Sequence, residues 1–233
     1  MKMKLFGTLI AGAAALVLPA HAQNLLVNGS FETLSTPGVK WGGGFATGVP
    51  GWTGTTSSDQ GVDVPGGVKA PGAEDGGNAA YFHNNDGYGE QTTTAAIQTG
   101  LNYDLKFWTM NIDTYAAGWS GAAEGQISVE VYAGTDANPI FAQKDFNLGF
   151  SSNGATPGTW VQNDLVIPSG AIAGGDIGQN IGIKIWNTSD QLNPIAGSWI
   201  YVDNVVLVPE PTTAALLGFG ALATALGLRR RRA

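Results

Sequence analysis

Two unbroken apolar runs stand near the ends of the chain, at residues 5–18 and 212–228, and nothing between them keeps that character. The stretch between alternates instead. A period of two dominates the apolar and polar positions over residues 103–110, 127–132, 160–167, 181–186 and 199–207, as strands with one buried face require. Clusters of Gly, Pro, Asn and Asp separate these segments, and no window holds a long amphipathic helical period; the Ala-rich piece 94–97 is too short to count. The pattern predicts an all-β body. Residues 23–207, 185 in all, are enough for one sandwich or barrel and too few for two comfortable domains. The Gly-rich stretches 41–54 and 61–77 read as long surface loops.

Alternation also assigns faces. With Tyr103, Leu105 and Phe107 turned inward, Lys106 and Trp108 face outward; inward Ile127, Val129 and Val131 leave Glu130 and Tyr132 outside, and inward Ile181, Ile183 and Ile185 leave Lys184 and Trp186 outside. Three strands thus place a ring beside a charge. Flat rings stack on the apolar faces of sugars while charges and amides bind hydroxyls, so Trp108, Tyr132 and Trp186 with Lys106 and Lys184 are the candidate carbohydrate platform. The bland alternative is that strands favour aromatics and loops cover them. In the last segment Ile200 and Val202 on one face yield to Val205 and Leu207, a phase change that predicts a bulge after Asp203.

The two ends read as transport signals. Basic Met1 to Lys4, the apolar run and Ala20-His21-Ala22 make residues 1–22 a secretory signal peptide, cut by signal peptidase before Gln23. At the other end come Pro209-Glu210-Pro211, 17 uncharged residues over 212–228, and Arg229, Arg230, Arg231 and Arg232. A helix of that length rises about 25 Å, enough for a thin bilayer, and the arginines hold its end in the cytoplasm. The body then faces outward from the inner membrane.

Charge and composition narrow the chemistry. Residues 23–207 carry 17 acids against five lysines, net −12, which excludes the basic footprint that nucleic acids demand. The chain has no Cys, and His83 is the sole histidine after residue 22, so thiolate and multi-histidine metal sites lack ligands. No Gly-x-Ser-x-Gly elbow is present. Pairs of carboxylates are always available among 17 acids, and spacing identifies none.

Residues 208–233, with Pro209-Glu210-Pro211, the short apolar segment and the arginine cluster, resemble the PEP-CTERM sorting signal of exported bacterial proteins. That resemblance implies cleavage by an exosortase-type membrane protease and a destination in the envelope or extracellular matrix. The segment 24–32 with Phe31-Glu32, Pro50-Gly51-Trp52 and 199–205 resemble the galactose-binding-like jelly roll of many carbohydrate-binding modules. In that fold the first and last strands lie side by side, and a calcium ion often sits between acids matched here by Glu32 and Asp203. Calcium suits a chain offering only oxygen ligands. The expectation is a non-enzymatic jelly-roll β-sandwich that binds extracellular polysaccharide. A structural matrix protein and a secreted glycoside-active enzyme remain alternatives.

Overall fold

The computed structural model describes residues 23–35, 48–55, 60–63, 72–83, 87–111, 125–147, 159–188 and 199–211. The predicted signal peptide and the predicted sorting helix 212–228 lie outside the described residues. Within those residues no helix is long and apolar enough to cross a membrane. Among the described residues ten strands form two five-stranded sheets: β1 (Thr53–Gly54), β2 (Gln60–Asp63), β3 (Ala79–His83), β4 (Tyr88–Ala96), β5 (Leu101–Asn111), β6 (Gln126–Ala133), β7 (Pro139–Asn147), β8 (Val161–Ile167), β9 (Asn180–Asn187) and β10 (Trp199–Pro211). Sheet A runs β1-β4-β9-β6-β7 and sheet B runs β2-β3-β10-β5-β8, every pairing being antiparallel. This is a jelly-roll β-sandwich.

The core lies between the sheets and is built from the residues that alternation turns inward. Ile127, Val129, Val131, Ile181, Ile183 and Ile185 of sheet A meet Tyr103, Leu105, Phe107, Leu165, Val202 and Leu207 of sheet B, all buried. Each large aliphatic or aromatic side chain so placed contributes about 1.5–3 kcal/mol by leaving water. The Gly-rich stretches are not loops throughout, for they hold β1 and part of β2 at the edges of the two sheets.

The bulge predicted after Asp203 is present. Pairing of β10 with β5 shifts register between Asp203 and Val206, and Asn204 takes a positive φ of 46°. The segment 24–29 lies against this irregularity without becoming a strand. Leu25 N–H donates to Leu207 O at 2.8 Å, Val205 N–H donates to Gly29 O at 2.9 Å, and Asn24 Nδ2 donates to Val205 O at 3.0 Å. The beginning and end of the body are therefore neighbours, running antiparallel.

Candidate functional site

The outer face of sheet A gathers charge and aromatic surface on three adjacent strands. Register places Glu90 of β4, Lys184 of β9 and Glu130 of β6 in one row, and Tyr88, Trp186 and Ser128 in the next. In the third row, Thr92, Gly182 and Tyr132 are aligned. Here the glycine is required by close approach: a Cβ on Gly182 would fall 2.2 Å from Tyr132 Cε2. The Tyr132 ring thus lies flat across β9, and its hydroxyl meets Thr92 Oγ1 at 2.8 Å. Tyr132 is only 1 % exposed and forms the floor of the face, and burial first of all pushes its hydroxyl up to about 12.

Above that floor the groups are half-buried. Lys184 Nζ pairs with Asp136 Oδ2 at 3.1 Å and sits 4.5 Å from the centre of the Tyr88 ring and 5.8 Å from that of Trp186. This anchors the ammonium between two rings. Glu90 Oε1 accepts from Thr53 Oγ1 at 3.3 Å. Glu130 is differently placed, since its Oε1 is buried and has no hydrogen-bond partner among the described residues. Burial pushes the Glu130 carboxyl up, Lys184 works against that, and the negative fields of Asp136 and Glu90 add to it. A carboxyl held toward its neutral form beside rings is equipped to give a proton.

The five predicted platform residues divide between the two sheets. Tyr132, Lys184 and Trp186 come together on sheet A. Trp108 and Lys106 are on β5, on the outer face of sheet B, where Trp108 pairs with Asp203 and Lys106 with Asp164. Lys106 Nζ binds Asp104 Oδ2 at 2.5 Å. Burial alone would raise the Asp104 carboxyl, but hydrogen bonds from Asp164 and Lys106 prevail and hold it below the usual range. Sequence reasoning missed Tyr88 and Glu90. Their two-residue spacing with Thr92 was the available signal, masked because the intervening Gly89, Gln91 and Thr93 are polar or small although buried.

Glu32 and Asp203 both grip the loop 74–78. Glu32 Oε1 accepts from the backbone N–H groups of Gly77 and Asn78, each at 2.8 Å. Asp203 Oδ2 accepts from Glu74 N–H at 2.8 Å and Asp75 N–H at 2.9 Å, and its Oδ1 accepts from Asn204 N–H at 2.7 Å. Asp203 is fully buried, which pushes its carboxyl up to about 7 against the pull of those three donors. Among the described residues no group of three or more acidic or histidine side chains is arranged to hold a metal. Two carboxylates gripping this loop from outside it, with Glu74 and Asp75 adding negative charge, fit a hard cation only if backbone carbonyls complete its shell.

Two antiparallel five-stranded sheets packed face to face put the chain in the broad class of jelly-roll β-sandwich proteins. Within that class the chain belongs to the HpiC1-like family: the model for HpiC1 cyclase matches residues 22–208. A second model, the PEP-CTERM protein-sorting motif, matches residues 207–232, so the chain carries the sorting signal of an exported protein. The chain is similar to the Stig cyclase FisC from Fischerella sp. TAU, solved with (3Z)-3-(1-methyl-2-pyrrolidinylidene)-3H-indole, at 22% identity over 82% of this chain and 99% of that one, with a TM-score of 0.58. Another cyclase from Fischerella sp. TAU is 23% identical over 80% of this chain and 96% of that one, TM-score 0.55. A CBM4 structure is 14% identical over 79% and 99%, TM-score 0.43. No curated protein matches the chain.

The family match corrects one expectation. A non-enzymatic body was inferred from the absence of a nucleophile elbow and of histidine clusters, but the family to which residues 22–208 belong is one of cyclases. Those absences spoke against nucleophile-elbow hydrolysis and against thiolate or multi-histidine metal catalysis. They did not bear on proton transfer by a carboxyl, which needs neither.

Proposed function

We propose that the exported body is a cyclase-type enzyme whose substrate lies on the outer face of sheet A, with Glu130 as proton donor. The observation that carries this reading is the buried Glu130 Oε1 left without a partner among the described residues, beside an ammonium held between Tyr88 and Trp186. The rings suit a flat, electron-rich substrate such as the indole in the FisC structure. Protonation of the ring by the Glu130 carboxyl makes it electrophilic, a nucleophilic carbon of the same substrate attacks to form the new ring bond, and the proton then lost from the product returns to the Glu130 carboxylate, with Glu90 balancing the transient positive charge.

The test is binding of that indole compound by the secreted protein, together with turnover of 3-substituted indoles that carry an internal nucleophilic carbon. Glu130→Gln is expected to lower kcat by about 10²-fold to 10⁴-fold with KM little changed, as loss of general acid catalysis does. Trp186→Ala should instead raise KM. Because the acid form is the active one, the wild-type rate falls as pH rises through the elevated Glu130 pKa, a fall that Glu130→Gln abolishes. Full activity of the Glu130→Gln variant would end this reading.

A second reading, polysaccharide binding, draws on the adjacent Tyr88 and Trp186 rings with flanking carboxylates. A net −12 body favours neutral glycans over anionic ones. A glycan array with wild type and Trp186→Ala separates the two: glycan binding lost in the variant, without indole turnover by the wild type, selects the platform. In either case the protein is held first at the inner membrane by its tail, then released to the envelope or medium by an exosortase-type protease.

We further propose that Glu32 and Asp203 hold a structural calcium ion at the loop 74–78, where it would neutralise the buried Asp203 carboxylate. Saturating calcium is expected to raise the melting temperature relative to chelator, by RT ln(1 + [L]/Kd) in free energy. Equal midpoints, with no metal found by elemental analysis, would remove the ion from the account.

A further inference from the structure

The sorting motif is not a free tail. Strand β10 continues through Pro209-Glu210-Pro211, whose residues face Tyr103, Asn102 and Leu101 of β5. Two prolines inside a strand need an explanation, since each lacks an N–H. Leu207 supplies it. Its N–H donates to Asn24 Oδ1 at 2.9 Å and its carbonyl accepts from Leu25, so both polar groups point away from β5. Backbone direction alternates along a strand, hence Pro209 and Pro211 also turn their nitrogens to that outer side, while Val208 and Glu210 address β5. The missing donors fall on an edge that β3, paired only with residues 199–202, does not reach. Pro-Glu-Pro is thereby compatible with one strand neighbour and closes the edge to a second.

Proteases bind substrate as an extended segment with both edges free, which a paired strand cannot offer. We propose that the sorting protease takes its motif only after residues 208–211 peel from β5, and that Leu207 sets the inner limit of the peeled segment. The gradient of anchoring along β10 supports this limit. Glu210 is exposed, Pro209 half-buried and Val208 buried but outside the main core cluster, whereas Leu207 is 0 % exposed, belongs to that cluster and is clasped by Asn24 and Leu25. Opening as far as Val208 costs two backbone-paired residues and the burial of one valine outside the main core cluster; opening one residue further extracts a core leucine. The motif is therefore hidden in the closed fold and presented by local fraying. This inference rests on the reading that an exosortase-type protease cuts the tail.

The test is a reversible lock. Val208 and Asp104 face each other, and Cα atoms in a bonded antiparallel pair stand roughly 5.5 Å apart, within disulfide range. The chain has no other cysteine to compete. Val208→Cys with Asp104→Cys, oxidised on export, is expected to keep its tail by intact mass, while each single variant is processed at the wild-type rate. Processing of the oxidised double variant at the rate of the single variants would overturn the proposal. Hydrogen exchange on the wild-type protein gives an independent reading that needs no lock: the Val208 and Glu210 amides should exchange at least about tenfold faster than that of Ile183. Equal protection of all three would equally overturn it. If the wild-type chain never loses its tail in cells, the processing reading fails by itself, and the exchange comparison still reports whether the end of β10 opens.

Discussion

Asp203→Ala, assayed in chelator, is expected to melt about 10 °C below wild type. The carboxylate is fully buried and accepts three backbone N–H groups, from Glu74, Asp75 and Asn204. Truncation leaves those donors inside the protein with no acceptor, and an unsatisfied buried group costs about 1–3 kcal/mol. Water entering the space relieves some of this, so about 3 kcal/mol in total is expected, and a domain of this size loses about 2–4 °C per kcal/mol. Chelator keeps any loss of calcium affinity out of the measurement. Glu32→Ala is the control: its carboxylate grips the same loop from an exposed position, and water replaces it, so its loss should be within about 1 kcal/mol. If Asp203→Ala melts no lower than Glu32→Ala, the three hydrogen bonds do not hold the loop.

Gly29→Ala should destabilise by about 3 kcal/mol, through crowding and not through conformation. A Cβ at this position would lie 2.1 Å from Val205 O and 3.1 Å from Val205 C. Neither side has room to yield. The Val205 carbonyl accepts from Asn24 Nδ2, the Val205 N–H donates to Gly29 O, and the Val205 side chain is buried in the core beside the bulge. Overpacking of this kind costs about 1–3 kcal/mol, and separating the segments also weakens hydrogen bonds worth about 1 kcal/mol each. Urea unfolding should show a lower midpoint at unchanged slope. Gly170→Ala, where an added Cβ meets nothing within 4 Å, provides the comparison and should be near neutral. Matching midpoints for the two variants would mean that the segment 24–29 is not tightly seated on β10.

Where the inside of the sandwich is apolar, the strands were legible in the sequence. Residues 103–110, 127–132, 181–186 and 199–207 alternate because Leu105, Val129, Ile183 and Val202 belong to one buried apolar cluster, and even the bulge showed as a slip of phase. Strand β4 was illegible for a specific reason. Its inward Gln91 accepts from Val27 N–H at 2.6 Å and donates to Val27 O at 2.9 Å, serving the segment 24–29 as a neighbouring backbone would. A polar residue that completes a ladder carries no hydrophobic signature. Strand β7 opens on Pro139, and its pairing with β6 shifts register around Val131, so its alternation is broken too.

The candidate site was half legible for the same reason. Alternation gave the outward direction of Lys184, Trp186, Glu130 and Tyr132, but strand order is a long-range fact. Only adjacency of β6 and β9 brings those four together, and only β5 in the other sheet separates Trp108 and Lys106 from them. That Tyr132 serves as floor depends on the absence of a side chain at Gly182, a residue on another strand.

The antiparallel seat of residues 24–29 on β10 has a mechanical meaning. The chain enters the fold at Asn24 and leaves it beyond Pro211, and both points lie toward the same end of this seam, with Leu25 bonded to Leu207 and Gly29 to Val205. Tension drawn between the two ends loads the bonds in succession, as in a zip, rather than all together in shear. The contacts of Asn24 and Leu25 are loaded before the bond between Gly29 and Val205, and the grip of Gln91 on Val27 lies between them. A body tethered by both ends would therefore give way first along this seam under load, while β9 and β6, with the candidate site, stay folded.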